Sequence, residues 1–242
     1  MKYFILPILT LFMGLCNANA QSIALDTTWV KRYGWVYKGG ATNDLRLQFI
    51  YPKGEDSITQ TIREDITKKF FETESVLPLE ESCEQLLRYG LGNRLFEEGS
   101  TEKTYLHRYS AVKIINNKIL DYIISHDISV GCGTGATTHC YCYDLSTGKQ
   151  INIDDLFSKS AQSQIINMLQ SRYDDYSESR QTNMHRVIEH LDNFILLPRG
   201  LIFVYNPYEI GAGYESEFRY TVKHSEIAHL LKPEAFRYFT NE

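Results

Sequence analysis

The stretch Phe194-Ile195-Leu196, Pro198-Arg199-Gly200, Leu201-Ile202-Phe203-Val204-Tyr205-Asn206-Pro207-Tyr208-Glu209-Ile210 decides the fold. Two apolar runs flank a Pro-Arg-Gly turn and read as a tight hairpin. Pro207 lacks the N–H that a sheet ladder needs, so the second strand must end before it. Gly211-Ala212-Gly213 then bends the chain. Tyr220-Thr221-Val222-Lys223 reads as a further strand, followed by a helix over Glu226–Leu231 with Ser225 as its N-cap.

Working outward, the same alternation of strands and helices continues upstream. Thr28–Lys38 and Leu45–Tyr51 predict a hairpin, with Gly39-Gly40 and Asn43-Asp44 at its turn. Ile58, Ile62, Ile66 and Phe70 recur every fourth residue, which places one apolar stripe on a helix capped by Asp56 or Ser57. Leu79–Phe96 predicts a second helix. Tyr105–Ile115 and Ile119–Val130 predict strands joined by Asn116-Asn117-Lys118, where two asparagines tolerate the positive φ of a tight hairpin. Gly131–Thr137 reads as a loop and Thr138–Leu145 as a strand, with His139, Tyr141 and Tyr143 on one face and Cys140 and Cys142 on the other. A helix follows over Ser158–Arg172, and polar residues 174–181 read as a connection. The order predicts an α+β fold, with antiparallel sheets and helices packed on one face.

The first twenty residues read as an export signal. Lys2 is followed by the short apolar run Phe4–Leu15 and the small-x-small site Ala18-Asn19-Ala20. Cleavage after Ala20 would leave Gln21 first and place the protein in the periplasm or outside the cell. Cys16 raises a lipoprotein alternative, although Leu15 before it is larger than that processing prefers. No later run is long and apolar enough to span a bilayer. The formal net charge is −5 with scattered Lys and Arg, which gives nucleic acid no basic surface to bind.

Four cysteines follow the signal, and an even count in an exported chain points to disulfides. Antiparallel pairing about a loop centred near Gly135 or Ala136 brings Cys132 closest to Cys140. That leaves Cys83 with Cys142 as a second bridge. A zinc site from Cys132, His139, Cys140 and Cys142 has poor spacing, because His139 and Cys140 face opposite sides of one strand. No metal or other cofactor is expected. His185 and His190, five apart, do not share a helical face. Asp154, Asp155 or Glu209 with His139 or His224 could serve a hydrolase, but acids at a helix entry need no catalytic role.

Two blocks carry a family resemblance. One is Gly133 to Phe157, with Asp144-Leu145-Ser146-Thr147-Gly148-Lys149 and Ile153-Asp154-Asp155-Leu156-Phe157; the other is Phe194 to Leu231 with its Pro-Tyr-Glu segment. They resemble the extracytoplasmic domain at the C-terminus of the anti-sigma factor RsiV, which the peptidoglycan deacetylase PdaC shares. Thr28 to Phe71 is similar to the smaller domain found just upstream. After the signal segment over 1–20, the resemblance implies an N-terminal subdomain over 21–100 and a C-terminal domain over 101–242. The Gly-Gly-Ala-His turn of that family has no His here, and no sigma-binding or deacetylase module is visible. The resemblance implies a non-catalytic exported domain that binds a cell-envelope glycan, or a glycan-degrading protein such as lysozyme. The alternative is an envelope hydrolase acting on peptidoglycan. The loop around Pro207 is the expected contact region, with Glu209 and Tyr214 touching the partner and Pro207 and Tyr208 holding the loop, Tyr208 as a buried anchor.

Overall fold

The computed structural model describes residues 23–36, 42–91, 103–130, 133–179, 186–211 and 217–239. The expected signal segment, Cys132 and Tyr214 lie outside them. Two compact units emerge. The first comprises Met1–Val112, Tyr122–Ala136 and Ser146–Gly148; the second comprises Lys113–Asp121, Thr137–Leu145 and Lys149–Glu242. The units interleave along the chain. The reason lies in three long strands, β3 (Lys103–Ile115), β4 (Ile119–Val130) and β5 (Gly133–Asp144), each of which contributes to both.

The fold is α+β, as expected. With β1 (Ala24–Val36), β2 (Thr42–Lys53) and β6 (Gln150–Ile151), these strands form a six-stranded sheet in the order β1-β2-β3-β4-β5-β6. A second sheet contains β7 (Phe194–Leu197), β8 (Gly200–Tyr205) and β9 (Phe218–Lys223). The β1–β2 pair is antiparallel, as its alternation predicts. Asn43 and Asp44 do not form its turn: Trp35 pairs with Asn43 inside the ladder. Asp44 continues the outward face of β2, next to buried Leu45, so pattern outweighs the turn preference of an Asn-Asp pair. Between β2 and β3 the pairing is parallel, from Thr42↔Lys103 to Gln48↔Tyr109. A parallel pair requires a long crossover, and the helices α1 (Ser57–Phe71) and α2 (Leu79–Leu91) supply it.

In the first unit α1 buries Ile62, Ile66 and Phe70. The Phe70 and Phe71 rings lie 4.8 and 5.2 Å from that of Phe49 on β2. Asp56 caps the helix by accepting the Thr59 N–H at 2.9 Å, and hydrogen bonding from the Thr59 side chain, then from its backbone, holds the Asp56 carboxyl below the usual range. The far end is closed by Glu72 in the left-handed region, φ 54°. Arg108, 2% exposed, donates there to the Phe70 carbonyl at 2.6 Å and to the Glu72 carboxylate. It places a cation at the negative end of the helix dipole.

In the second unit the core gathers Ile119, Leu156, Phe157, Phe194, Leu196, Leu201, Phe203, Val222 and Leu231 beside α4 (Lys159–Ser179), which follows the short α3 (Ile153–Leu156). α4 runs two turns beyond the expected Arg172 because its inner stripe continues through buried Tyr173 and Ser177. The Tyr173 and Tyr176 rings meet Phe218 edge-on at 5.9 and 5.3 Å. The β3–β4 hairpin turns on Asn116 and Asn117, φ 50° and 53°, as expected. Gly200, φ 152°, is required at the β7–β8 turn, since a Cβ there would lie 2.1 Å from the Val222 carbonyl oxygen. α5 (His224–Ile227) begins earlier than expected and is capped from Lys223, whose N–H is accepted by Glu226 at 2.8 Å. Ser225 therefore sits inside the first turn. Residues 133–137, expected as loop, are the start of β5.

Candidate functional site: a clasped strand and the cleft beside it

β5 carries the candidate site because one of its edges is incompletely paired. β6 meets it only opposite Cys142 and Tyr143. Asp144 donates its N–H to Lys149 on that side, so the even-numbered residues Thr138 and Cys140 present backbone groups along the same edge. Two asparagine side chains take the place of the missing strand. Asn206 accepts the Thr138 N–H at 2.7 Å and donates to the Thr138 carbonyl at 3.2 Å. Asn193 accepts the Cys140 N–H at 2.8 Å and donates to the same Thr138 carbonyl at 2.8 Å. A side-chain amide carries the donor and acceptor of a peptide group, so each completes part of the ladder.

The clasp explains the Pro-Tyr-Glu segment. Glu209 folds back and accepts the Asn206 N–H at 2.8 Å and Asn206 Nδ2 at 3.3 Å. It orients Asn206 and is half-buried. Tyr208 has φ 73° and is 67% exposed, with its carbonyl accepting from Arg186. Tyr208, expected as a buried anchor, is therefore no core residue, and Glu209 is held within the loop. The positive φ of Tyr208 turns its side chain away from the core while Ile210, 2% exposed, packs into it. Pro207 sits at the turn, as expected for the loop's shape.

Beside the clasp lies an open cleft of about 540 Å³. His139, Cys140 and Tyr141 of β5 form one wall, Gln150, Asn152 and Ile153 another, and His190, Asp192 and Asn193 the third. The His190 ring lies 5.8 Å from that of Tyr205, whose hydroxyl donates to the His190 carbonyl at 3.0 Å. Cys140 is buried at the floor, and burial pushes its thiol up to about 12. It is a neutral thiol rather than a thiolate nucleophile. Deeper, the Cys142 thiol donates to Asp121 at 2.9 Å. Burial raises the Asp121 carboxyl to about 7, while the Cys142 thiol is raised well above its ordinary value by burial and by the carboxylate beside it.

Cys140 and Cys142 are free, buried thiols, and Cys83 is buried. Among the described residues no three His, Cys, Asp or Glu side chains converge to hold a metal ion. The acids considered for hydrolysis serve helix starts: Asp155 accepts the Asn152 N–H at 2.7 Å, and Asp154 pairs with Lys159 at 2.7 Å and Gln162 at 2.6 Å. The Asp154 carboxyl is held low by those bonds. His224 packs its ring 5.2 Å from that of Phe239, away from the cleft-lining set. From sequence, His190 is set aside as a solvated histidine, and Asp192 and Asn193 draw no attention. The signal was present in Asp192-Asn193 immediately before an apolar strand, where polar residues mark a loop at a sheet end.

The fold and the site define an α+β protein with a strand clasped by side chains and a polar cleft alongside it. Residues 154–225 match the family described as protein of unknown function DUF3298. Two solved structures share the fold. One is a DUF3298 family member from Bacteroides fragilis NCTC 9343, 15% identical, TM-score 0.71, with 89% of this chain and 96% of that one covered. The other is a DUF3298 family protein from Pseudomonas aeruginosa PAO1, 11% identical, TM-score 0.66, with 92% and 99% covered. No curated protein matches the chain.

Proposed function

We propose that this protein is an exported, non-catalytic binding domain whose ligand is a cell-envelope glycan held in the cleft of the second unit. The cleft itself carries the reading. Its volume, about 540 Å³, lies in the range of small-ligand sites. Its walls combine two imidazoles, a tyrosine, amides and one carboxylate, a mixture suited to hydroxyl-rich ligands. The neutral Cys140 and the committed Asp154 and Asp155 weigh against the hydrolase alternative. Export rests on the N-terminal segment, and the envelope context on the resemblance to the RsiV extracytoplasmic region. A protein partner such as lysozyme is the second reading, favoured by the 67% exposure of both Tyr208 and Val187.

Titration of the isotope-labelled protein with soluble peptidoglycan fragments tests the first reading. Shifts should centre on His139, Tyr141 and His190, and Tyr141→Ala should weaken binding about tenfold, the worth of one aromatic contact. Absence of binding would refute the cleft. Fragment cleavage lost on Asp192→Asn would transfer the reading to a hydrolase. N-terminal sequencing of the exported protein should begin at Gln21, and an acylated Cys16 would replace that cut.

A further inference from the structure

The first unit leaves one face of β1–β3 opposite its core. Along β3, Leu106, Arg108 and Ser110 are buried, whereas Tyr105, His107 and Tyr109 point the other way and are half-buried. Their rings form a ladder. Tyr105 and His107 stack with centroids 4.8 Å apart and 27° between planes, and His107 and Tyr109 follow at 6.3 Å.

Strand register extends the ladder sideways, because paired residues share a face. Gln48 lies beside Tyr109, and Trp29 beside Gln48. The next row holds Lys31, Arg46 and His107, and Asp44 lies beside Tyr105. At the spacing of neighbouring strands, Trp29 and Tyr109 stand roughly 10 Å apart. The Lys31 ammonium sits 5.6 Å from the Trp29 ring centroid.

The polar groups between the rings are held in place. Asp44 accepts from Arg46 at 2.8 Å and faces His107 Nε2 at 3.3 Å. The Tyr105 hydroxyl donates to Asp127 at 3.3 Å. Among the described residues of the face, Lys31 and Arg46 balance Asp44 and Asp127. A nucleic acid also stacks on aromatic rings, but it needs a basic groove for its phosphates, and a balanced face on a chain of net charge −5 provides none. A sugar ring has different demands. Its C–H face covers an aromatic ring, and its equatorial hydroxyls reach amides, carboxylates and guanidinium groups at the rim.

We propose that this face is a platform for a linear, uncharged glycan. Trp29 and Tyr109 stack on its sugar rings, and Asp44, Arg46 and Gln48 bond its hydroxyls. The inference rests on the glycan reading above but uses no cleft residue, so the two can fail separately.

The test is isothermal titration of the full chain without its export signal against chitohexaose and cellohexaose, with a single-stranded oligothymidylate of similar length as control. The wild-type protein should bind at least one hexasaccharide, and more tightly than the oligonucleotide. Trp29→Leu and Tyr109→Leu should each weaken binding about tenfold or more. Tyr109→Phe keeps the ring and should retain affinity, which separates stacking from a folding defect. Val76→Ala, at an exposed position between α1 and α2, should bind the hexasaccharide normally. Three results would overturn the platform: no binding of either hexasaccharide, full affinity in both leucine variants, or tighter binding of the oligonucleotide. Loss in Tyr141→Ala alone would also overturn it and would favour the cleft. Hexasaccharide binding that depends on Tyr109, in a protein whose cleft ignores peptidoglycan fragments, would support the platform and refute the cleft.

Discussion

The asparagine clasp makes a quantitative prediction, because two side chains share one acceptor. In Asn206→Ala the Thr138 N–H loses its acceptor, while the Thr138 carbonyl keeps its bond from Asn193 at 2.8 Å. In Asn193→Ala the Cys140 N–H loses its acceptor, while the carbonyl keeps Asn206 at 3.2 Å. Thr138 and Cys140 are each only 6% exposed, so water does not readily replace the lost partner. One orphaned buried donor costs about 1–3 kcal/mol, and each single variant should be destabilised by that much. At this chain length that is roughly 2–4 °C of Tm per kcal/mol.

The double variant orphans both donors and also the shared carbonyl, which neither single variant exposes. Its loss should therefore exceed the sum of the singles by a further amount of about 1–3 kcal/mol. Urea unfolding of the four proteins closes the cycle. Additivity within about 0.5 kcal/mol would mean that the two amides act independently. Single losses below about 0.5 kcal/mol would mean that this edge of β5 is solvated, and the clasp would be refuted. Asn206→Asp is a further control. It keeps an acceptor for Thr138 N–H, yet sets a carboxylate against the Thr138 carbonyl and Glu209, and should be no better than the alanine variant.

Three more outcomes follow from the same unit. Tyr208→Ala should change stability by less than about 0.5 kcal/mol, as for other exposed sites; a thermal shift above a few degrees would show the ring to be an anchor after all. Asp121 carries a folded-state carboxyl raised from 3.8 to about 7, so the folded protein holds its proton more tightly than the unfolded chain. Its stabilising effect is complete below pH ~4 and is lost as pH rises through about 7, by up to about 4 kcal/mol. Asp121→Asn should flatten that part of the stability profile measured by urea titration at stepped pH, and an unchanged profile would refute the assignment. Cys142→Ser keeps a donor for Asp121 and should cost less than Cys142→Ala, which leaves the buried carboxyl short of a partner by about 1–3 kcal/mol; equal losses in thermal melts would show that the bond to Asp121 contributes nothing.

Strand and helix identity was legible wherever side-chain period reports burial. The four-residue recurrence of Ile62, Ile66 and Phe70 and the two-residue alternation of Leu45, Leu47 and Phe49 both survive in the structure, because each stripe meets the other. The Asn116-Asn117 turn was legible because few residues accept positive φ. The parallel β2–β3 pairing was not, since partner choice depends on residues 61 positions apart. The end of α4 was misread because Asp174, Asp175 and Ser177 look like a loop, while Tyr173 and Ser177 are buried on its inner side. The exposure of Tyr208 was hidden for a similar reason. Residue type favours a buried Tyr and an exposed Glu, but the backbone at Tyr208 and the hydrogen bonds of Asn206 decide otherwise.

The candidate site was the least legible part, and β5 shows why. From sequence, Cys140 and Cys142 invite disulfides to Cys132 and Cys83, and His139 draws notice as a ligand type although its spacing argues against a metal. In the fold, the inward thiols face a buried Asp121 and a cleft floor, and the strand's outward His139 and Tyr141 become one wall. The other two walls come from Gln150–Ile153 and from His190–Asn193, about ten and fifty residues downstream. The residue that fixes the third wall is Asn193, and it does so by imitating a missing strand. A binding surface of this kind has no local motif. It exists because β6 is only two residues long and leaves an edge that side chains must complete. Lengthening β6 would remove the need for the clasp and, with it, the space that forms the cleft.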